Sequence, residues 1–277
     1  MPSDTDSVAK PKAHTVGDKL TIASVAIVVY VSGSILHEGV GHGGACLAVG
    51  GTPILVSTVN MVCSGEYRVV MAGGTFMNVV TAAVFFALGR RTSASAPIWK
   101  YFFWLGMTVN LFCAAGYFAF SGVGGFGDWA MFIQGLGSQL AWRIGLTVFG
   151  TVTYLLAAWF SLRELRPLIG SDKNLRYRRA VGLSWIPYFT GGILACIAGA
   201  FNPAGLILVV LSAAASTFGG TSGLLWMSEW LKGDTIPQGS EAEPAPIPRS
   251  WDWIVIGAIA ACLFVAVLGP GLRFANG

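Results

Sequence analysis

Two histidines and a glutamate, in His37-Glu38-Gly39-Val40-Gly41-His42, close an uncharged apolar run over residues 20–36. Ionisable side chains are costly in hydrocarbon, so such a cluster at membrane depth marks a functional site. The chain has three histidines in all, and the third, His14, lies in a polar N-terminal stretch. Two imidazoles flanking a carboxylate suit a metal site with a general base beside it. Zinc hydrolysis needs three protein ligands, one position left for water, and a carboxylate that takes the proton.

The spacing is unusual. In the familiar helical metal motif the histidines stand four apart and share a face. Here they stand five apart, which on a regular α-helix separates them by about 140° rather than about 40°. Two local structures could bring them together. A π-bulge would return both to one face, and Gly39 and Gly41 ease such a deformation. Alternatively the helix ends near Gly41 and His42 comes from the following turn.

The elements that must carry these residues are membrane helices. Of 277 residues, 54% are hydrophobic and 11% charged, against about 25% charged in soluble domains, and the mean hydropathy is +0.66. This composition predicts an all-α polytopic membrane protein in contact with the lipid bilayer. The net charge of +4 records orientation rather than nucleic-acid binding. Seven stretches are long and apolar enough to span, at 20–46, 69–89, 98–120, 141–161, 183–201, 204–226 and 251–270. Asn202-Pro203 reads as a tight turn between the fifth and sixth. Residues 1–19 read as a disordered tail, 20–161 as the chemical core, and 162–277 as further helices with a flexible Pro-rich loop at 232–250. The five cysteines are scattered and include no C-x-x-C pair, so no disulfide framework is expected.

If the N-terminus is cytoplasmic, fourteen of the seventeen basic residues fall inside, and only Arg68, Arg143 and Arg273 fall outside. The positive-inside rule then predicts N-in and C-out. His37 lies about 25 Å along a helix that starts at Leu20, toward the outer end. The outer loop 121–140 has one acid, Asp128. The acid and the histidine cluster therefore share a side.

On these residues the chain resembles the site-2 protease family of intramembrane zinc metalloproteases. Three motifs carry the resemblance: Leu36-His37-Glu38-Gly39-Val40-Gly41-His42 in the first span, Ala72-Gly73-Gly74-Thr75-Phe76-Met77-Asn78 in the second, and Gly127-Asp128-Trp129 after the third. Their order and placement match the family over roughly residues 20–160. The resemblance implies a zinc ion held by His37, His42 and Asp128. It also implies Glu38 as general base and Asn78 as a polar contact to substrate or oxyanion. The expected substrate is a membrane-embedded or membrane-adjacent protein or peptide. The expected location is the bacterial inner (plasma) membrane, with the site toward the outer face. The family's known members place their motif near the cytoplasmic face and many carry accessory domains, so this chain differs in both respects.

The resemblance implies that residues 49–68 form short strands able to pair with an extended substrate, and Ile54-Leu55-Val56-Ser57-Thr58-Val59 has the β-branched content for them; the alternative is a plain re-entrant or surface loop. Cys46, four after His42, is a minor candidate as a further ligand. The polar stretch 216–223 either lines a cavity or packs closely against a neighbour. The alternative function is a non-proteolytic membrane protein of the same fold that binds a metal, a small molecule or a protein partner. A proton-coupled transporter fits less well, since the chain lacks a second set of intramembrane charges and any inverted repeat.

Overall fold

The structure is a computed structural model that describes residues 17–65, 68–203, 205, 209–233 and 244–274. The expected N-terminal tail lies outside the described residues as far as position 16, as do residues 234–243 of the expected loop and Glu66.

Asp18 starts the first helix by accepting a hydrogen bond from the Thr21 backbone N–H at 2.9 Å, the usual N-cap arrangement. Helix α1 (Lys19–Ser34) passes into a π-helical stretch, Ile35–Gly43, and then into α2 (Gly44–Ala48). A hairpin follows, β1 (Pro53–Val56) and β2 (Met61–Cys63). The long helices are α3 (Arg68–Arg91), α4 (Pro97–Gly124), α6 (Gln139–Ile169) and α7 (Lys173–Ala200). A short α5 (Asp128–Ile133) lies between α4 and α6. An interrupted segment then runs through π-helical Val209–Gly219, a turn, α8 (Gly223–Trp226) and the 3-10 stretch Met227–Gly233. Helix α9 (Trp251–Leu263) continues as a π-helical turn, Phe264–Leu268, and ends at β3 (Leu272–Arg273).

Among the described residues, six helices are long and apolar enough to cross a membrane. They correspond to six of the seven stretches expected from hydropathy, so the molecule is an all-α polytopic membrane protein. The helices extend beyond the apolar runs: α6 reaches Ile169 and α7 begins at Lys173. Hydropathy marks where the apolar stretch ends, whereas backbone hydrogen bonding carries a helix on into the basic region.

The seventh stretch is the interrupted segment. Ser212 donates to the Val59 carbonyl at 2.8 Å, and Arg176 donates to the Leu231 carbonyl at 3.3 Å. The segment thus runs from the hairpin end of the bundle to the end where α7 begins. Its direction follows from the termini. Arg249 pairs with Asp18 at 3.0 Å, and Phe274 N–H donates to the Ile54 carbonyl at the far end. Helices α1 and α9 are therefore parallel.

Breaks in helical backbone inside a membrane need substitute partners. Tyr154 and Tyr188 supply them here, and a third tyrosine, Tyr30, holds a side chain of the same break. Tyr154 donates to the Gly220 carbonyl at 2.7 Å and accepts from the Gly223 N–H at 2.8 Å. Tyr188 donates to the Phe218 carbonyl, and the Tyr30 hydroxyl bonds Thr221. In α7, Pro187 cannot donate to the carbonyl four residues back, Leu183. The Tyr101 hydroxyl donates to that carbonyl instead, at 2.9 Å.

The core is built by Ile22, Val25 and Val29 of α1 against Tyr101, Leu105 and Phe112 of α4, with Leu183 of α7 beside them. The expected strands are present. The sheet order is β2-β1-β3, with both pairs antiparallel. The strand β3 therefore covers one edge of β1, and among the described residues no strand pairs with the other edge of β2.

The cysteine expectation is corrected. Cys46 and Cys63 form a disulfide, so Cys46 is not available as a metal ligand. The hairpin returns residue 63 to the end of α2, which spacing alone does not reveal. The three remaining cysteines, Cys113, Cys196 and Cys262, are free and lie in helices.

Candidate metal centre

The stretch Ile35–Gly43 is π-helical. Its i→i+5 bonding brings residues five apart to one side, and His37 and His42 converge accordingly. Their Nε2 atoms lie 3.2 Å apart. The Asp128 Oδ2 atom lies 3.4 Å from each of them. All three residues come together as the sequence predicts.

These distances test the fit of a metal. A tetrahedral ion with bonds of about 2.0–2.1 Å has ligand-to-ligand edges of about 3.3 Å. The three observed edges match. The Asp128 Oδ2 atom is also buried without a hydrogen bond of normal geometry, and buried polar atoms rarely go unsatisfied. A cation at the centre of the triangle would satisfy it. Burial alone would push the Asp128 carboxyl up, but the two imidazoles facing it outweigh that and hold it below the usual carboxylate range. The group His37, His42 and Asp128 can therefore hold a metal ion.

Supporting contacts set the orientation of each ligand. The His42 Nδ1–H donates to the Val70 carbonyl at 2.6 Å, which leaves the Nε2 lone pair directed at the centre. His37 stacks on Tyr117, with ring centroids 4.9 Å apart. Asp128 begins α5 beside Trp129, whose indole N–H donates to the Thr75 hydroxyl at 3.0 Å. Trp129 also stacks on Phe118 of α4 at 4.4 Å. Both contacts fix α5 against α3 and α4, and so aim Asp128 inward.

Glycines make room for the imidazoles. A Cβ on Gly74 would fall 2.5 Å from His37 Nε2 and from His42 Nε2. Gly41 and Gly73 meet backbone to backbone where the π-helical stretch crosses α3. Glycines at 73 and 74 are thus needed for the rings to reach one point.

Glu38, His42 and Asp128 line a cavity of about 1260 Å³, which β2, Gly65 and Arg68 also border. Glu38 and His37 also line a smaller cavity of about 70 Å³ with Asn78, Asn110, Tyr117 and Ser216. Asn78 is buried and reaches this smaller cavity, not the larger one. Residues 212–217 line both cavities in part, while Gly223 packs closely on Phe112. The polar 216–223 stretch thus performs both of the roles that the sequence left open.

Sequence reasoning missed Tyr117, Asn110 and Ser212. An aromatic or a lone polar residue in an apolar helix reads as packing. Only the ring stack on His37 and the shared cavity reveal these three. Arg68, at the cavity's edge, donates to the Gln134 carbonyl at 2.9 Å.

Fold and site together define a polytopic helical membrane protein with a buried two-histidine, one-aspartate centre. Comparison with family models, curated proteins and solved structures gives no significant match to this chain.

Proposed function

We propose that this chain is an intramembrane zinc metallopeptidase that hydrolyses a membrane-embedded or membrane-adjacent peptide. The observation that carries the proposal is the triangle of ligand atoms with edges of 3.2–3.4 Å beside the carboxylate of Glu38. Zinc bound by His37, His42 and Asp128 supplies the Lewis acidity that makes water ionisable near neutral pH. Glu38 is the residue left to accept that proton, because it lines the same cavity and is not one of the three convergent ligands. The edge of β2 left unpaired among the described residues borders the cavity and offers backbone groups to an extended peptide, the form in which a peptide is cleaved. Asn78 and the smaller polar cavity face Glu38 from the other side and suit a contact to water or to substrate.

The orientation is part of the same proposal. Among the described residues, twelve of fifteen basic residues lie at the end of the bundle away from the site, which favours a cytoplasmic N-terminus. The Cys46–Cys63 disulfide lies at the site end, and disulfides persist in oxidising compartments. Both support a site facing the outer side of a bacterial inner membrane.

The test is metal analysis and turnover on purified protein, with an unfolded polypeptide such as casein as probe. Wild type should hold about one equivalent of zinc. Glu38→Gln should keep the zinc and lose cleavage, whereas His37→Ala, His42→Ala and Asp128→Ala should each lose zinc. Zinc lost by Glu38→Gln but kept by Asp128→Ala would reassign the ligands. Zinc bound with no cleavage by wild type, of casein or of single-span reporters, would favour the non-proteolytic metal-binding reading.

A further inference from the structure

We infer a second ligand site at the opposite end of the bundle, one that takes the headgroup of an anionic phospholipid. It does not depend on the peptidase reading. Helices α3 and α6 pack chiefly on α4 rather than on one another. This leaves a groove between them with α4 as its floor. At its basic end the groove deepens into a cavity of about 220 Å³, lined by Phe85, Phe86 and Phe103 and by Arg90, Lys100 and Glu164.

The charges in this cavity do not balance. Glu164 is the only acid lining it. One carboxylate is shared by two guanidinium groups, Arg90 at 3.8 Å and Arg163 at 3.8 Å. Lys100 is half-buried and has no ion-pair or hydrogen-bond partner among the described residues. It stands in the first turn of α4, where the helix dipole adds positive potential. A half-buried ammonium beside a spare guanidinium calls for an anion.

The apolar part of the site selects the kind of anion. Below the charges the walls are aromatic, with Phe86 against Phe160 of α6 at 5.3 Å. Beyond the cavity the same helices carry exposed apolar side chains, Val84 and Leu88 of α3 and Leu156 and Trp159 of α6. These faces are lipid-facing in a membrane helix bundle. A free phosphate would meet only the charged end, whereas a phospholipid fills both parts. Basic pockets between spans on the cytoplasmic side are known to hold such headgroups. The site also lies far from the metal centre: Arg90 is fifteen residues along α3 from Thr75, about 22 Å.

The test uses the full chain purified in a neutral detergent, with native mass spectrometry reading lipid retention. Phosphatidylglycerol should be retained over phosphatidylcholine of the same acyl chains. Lys100→Gln has no ion pair to disrupt and should weaken phosphatidylglycerol binding about fivefold. Lys100→Arg should restore it, and Arg90→Gln combined with Lys100→Gln should weaken it about 25-fold. Arg91→Gln removes the same charge from an exposed neighbour that does not line the cavity, and should leave binding unchanged. Three results would overturn the proposal: equal retention of the two lipids, an equal loss in Arg91→Gln, or displacement of the lipid by millimolar inorganic phosphate.

Discussion

At the residue scale, the centre depends on a hydrogen where most residues carry a side chain. Gly74 faces both imidazoles, and a methyl group there would lie 2.5 Å from each Nε2. Neither ring can yield easily. His42 is held by Val70 and His37 by its stack on Tyr117. Gly74→Ala should therefore lower metal affinity at least as much as losing a supporting contact, about 10- to 100-fold. Competition with a calibrated chelator would read the change. Retention of wild-type affinity would mean that the rings do not occupy these positions when metal is bound. Thr75→Val tests the other ligand. It removes the acceptor of the Trp129 indole N–H while keeping the side-chain volume, so affinity should fall by about 10-fold. Glu38→Gln, by contrast, should spare the metal, because Glu38 is not among the convergent ligands.

At the scale of elements, the π-helical stretch acts as a phase corrector. It places histidines five apart on one face and then returns the chain to α-helical geometry in α2. Val40 is 49% exposed, so deleting it removes little packing. The deletion leaves the histidines four apart, the spacing at which a regular α-helix aligns them. The variant should keep its metal, whereas an alanine inserted after Val40 should abolish binding. Metal analysis of both variants distinguishes phase from mere disruption. Helix α7 offers an independent element-scale test. The Leu183 carbonyl loses its helical partner to Pro187 and gains the Tyr101 hydroxyl. Tyr101→Phe should cost about 1 kcal/mol, within the range seen for side-chain hydrogen bonds in membrane proteins. Pro187→Ala restores the missing N–H, so Tyr101→Phe in that background should cost less. A double-mutant cycle of unfolding free energies reads the coupling, and additive losses would show that the carbonyl finds another partner.

At the scale of the molecule, two ends of the bundle differ in chemistry. One holds the metal-ligand group, the disulfide and the hairpin. The other holds most of the basic residues and the Lys100 groove. The three arginines at the metal end that are placed by contacts are engaged locally: Arg68 on the Gln134 carbonyl, Arg143 on the Gly122 and Val123 carbonyls that end α4, and Arg273 within β3. They serve the fold and do not blur the charge bias. The disulfide gives a topology test that needs no fusion. In membranes prepared with a thiol-blocking reagent, three cysteines should react before reduction and five after. A reporter placed after Gly277 should be active on the outer side. Five reactive cysteines without reduction, together with a cytoplasmic reporter signal, would reverse the orientation. Removing the bond with Cys46→Ser should lower stability by about 3 kcal/mol for a closed loop of this size.

The sequence by itself determined the class of molecule, and the family resemblance pointed to His37, His42 and Asp128 as a group that could hold a metal ion. Apolar runs of about 20 residues have few folds open to them besides membrane helices. Even the departure from a regular helix at 37–42 followed from the five-residue spacing. What the tertiary structure decided was everything that depends on close approach between distant segments. The Cys46–Cys63 pair needed the hairpin to return before its spacing meant anything. The cover on β1 came from a strand more than two hundred residues away. Tyr117, Asn110 and Ser212 became site residues only because several separate segments enclose one cavity. The break at 216–223 could persist because tyrosines from α6 and α7 reached its backbone groups. Local pattern specifies which segments leave water, since that choice is made residue by residue. Which side chains then meet is set by helix crossings, and those depend on glycines such as Gly41 and Gly73 whose role appears only when two backbones touch.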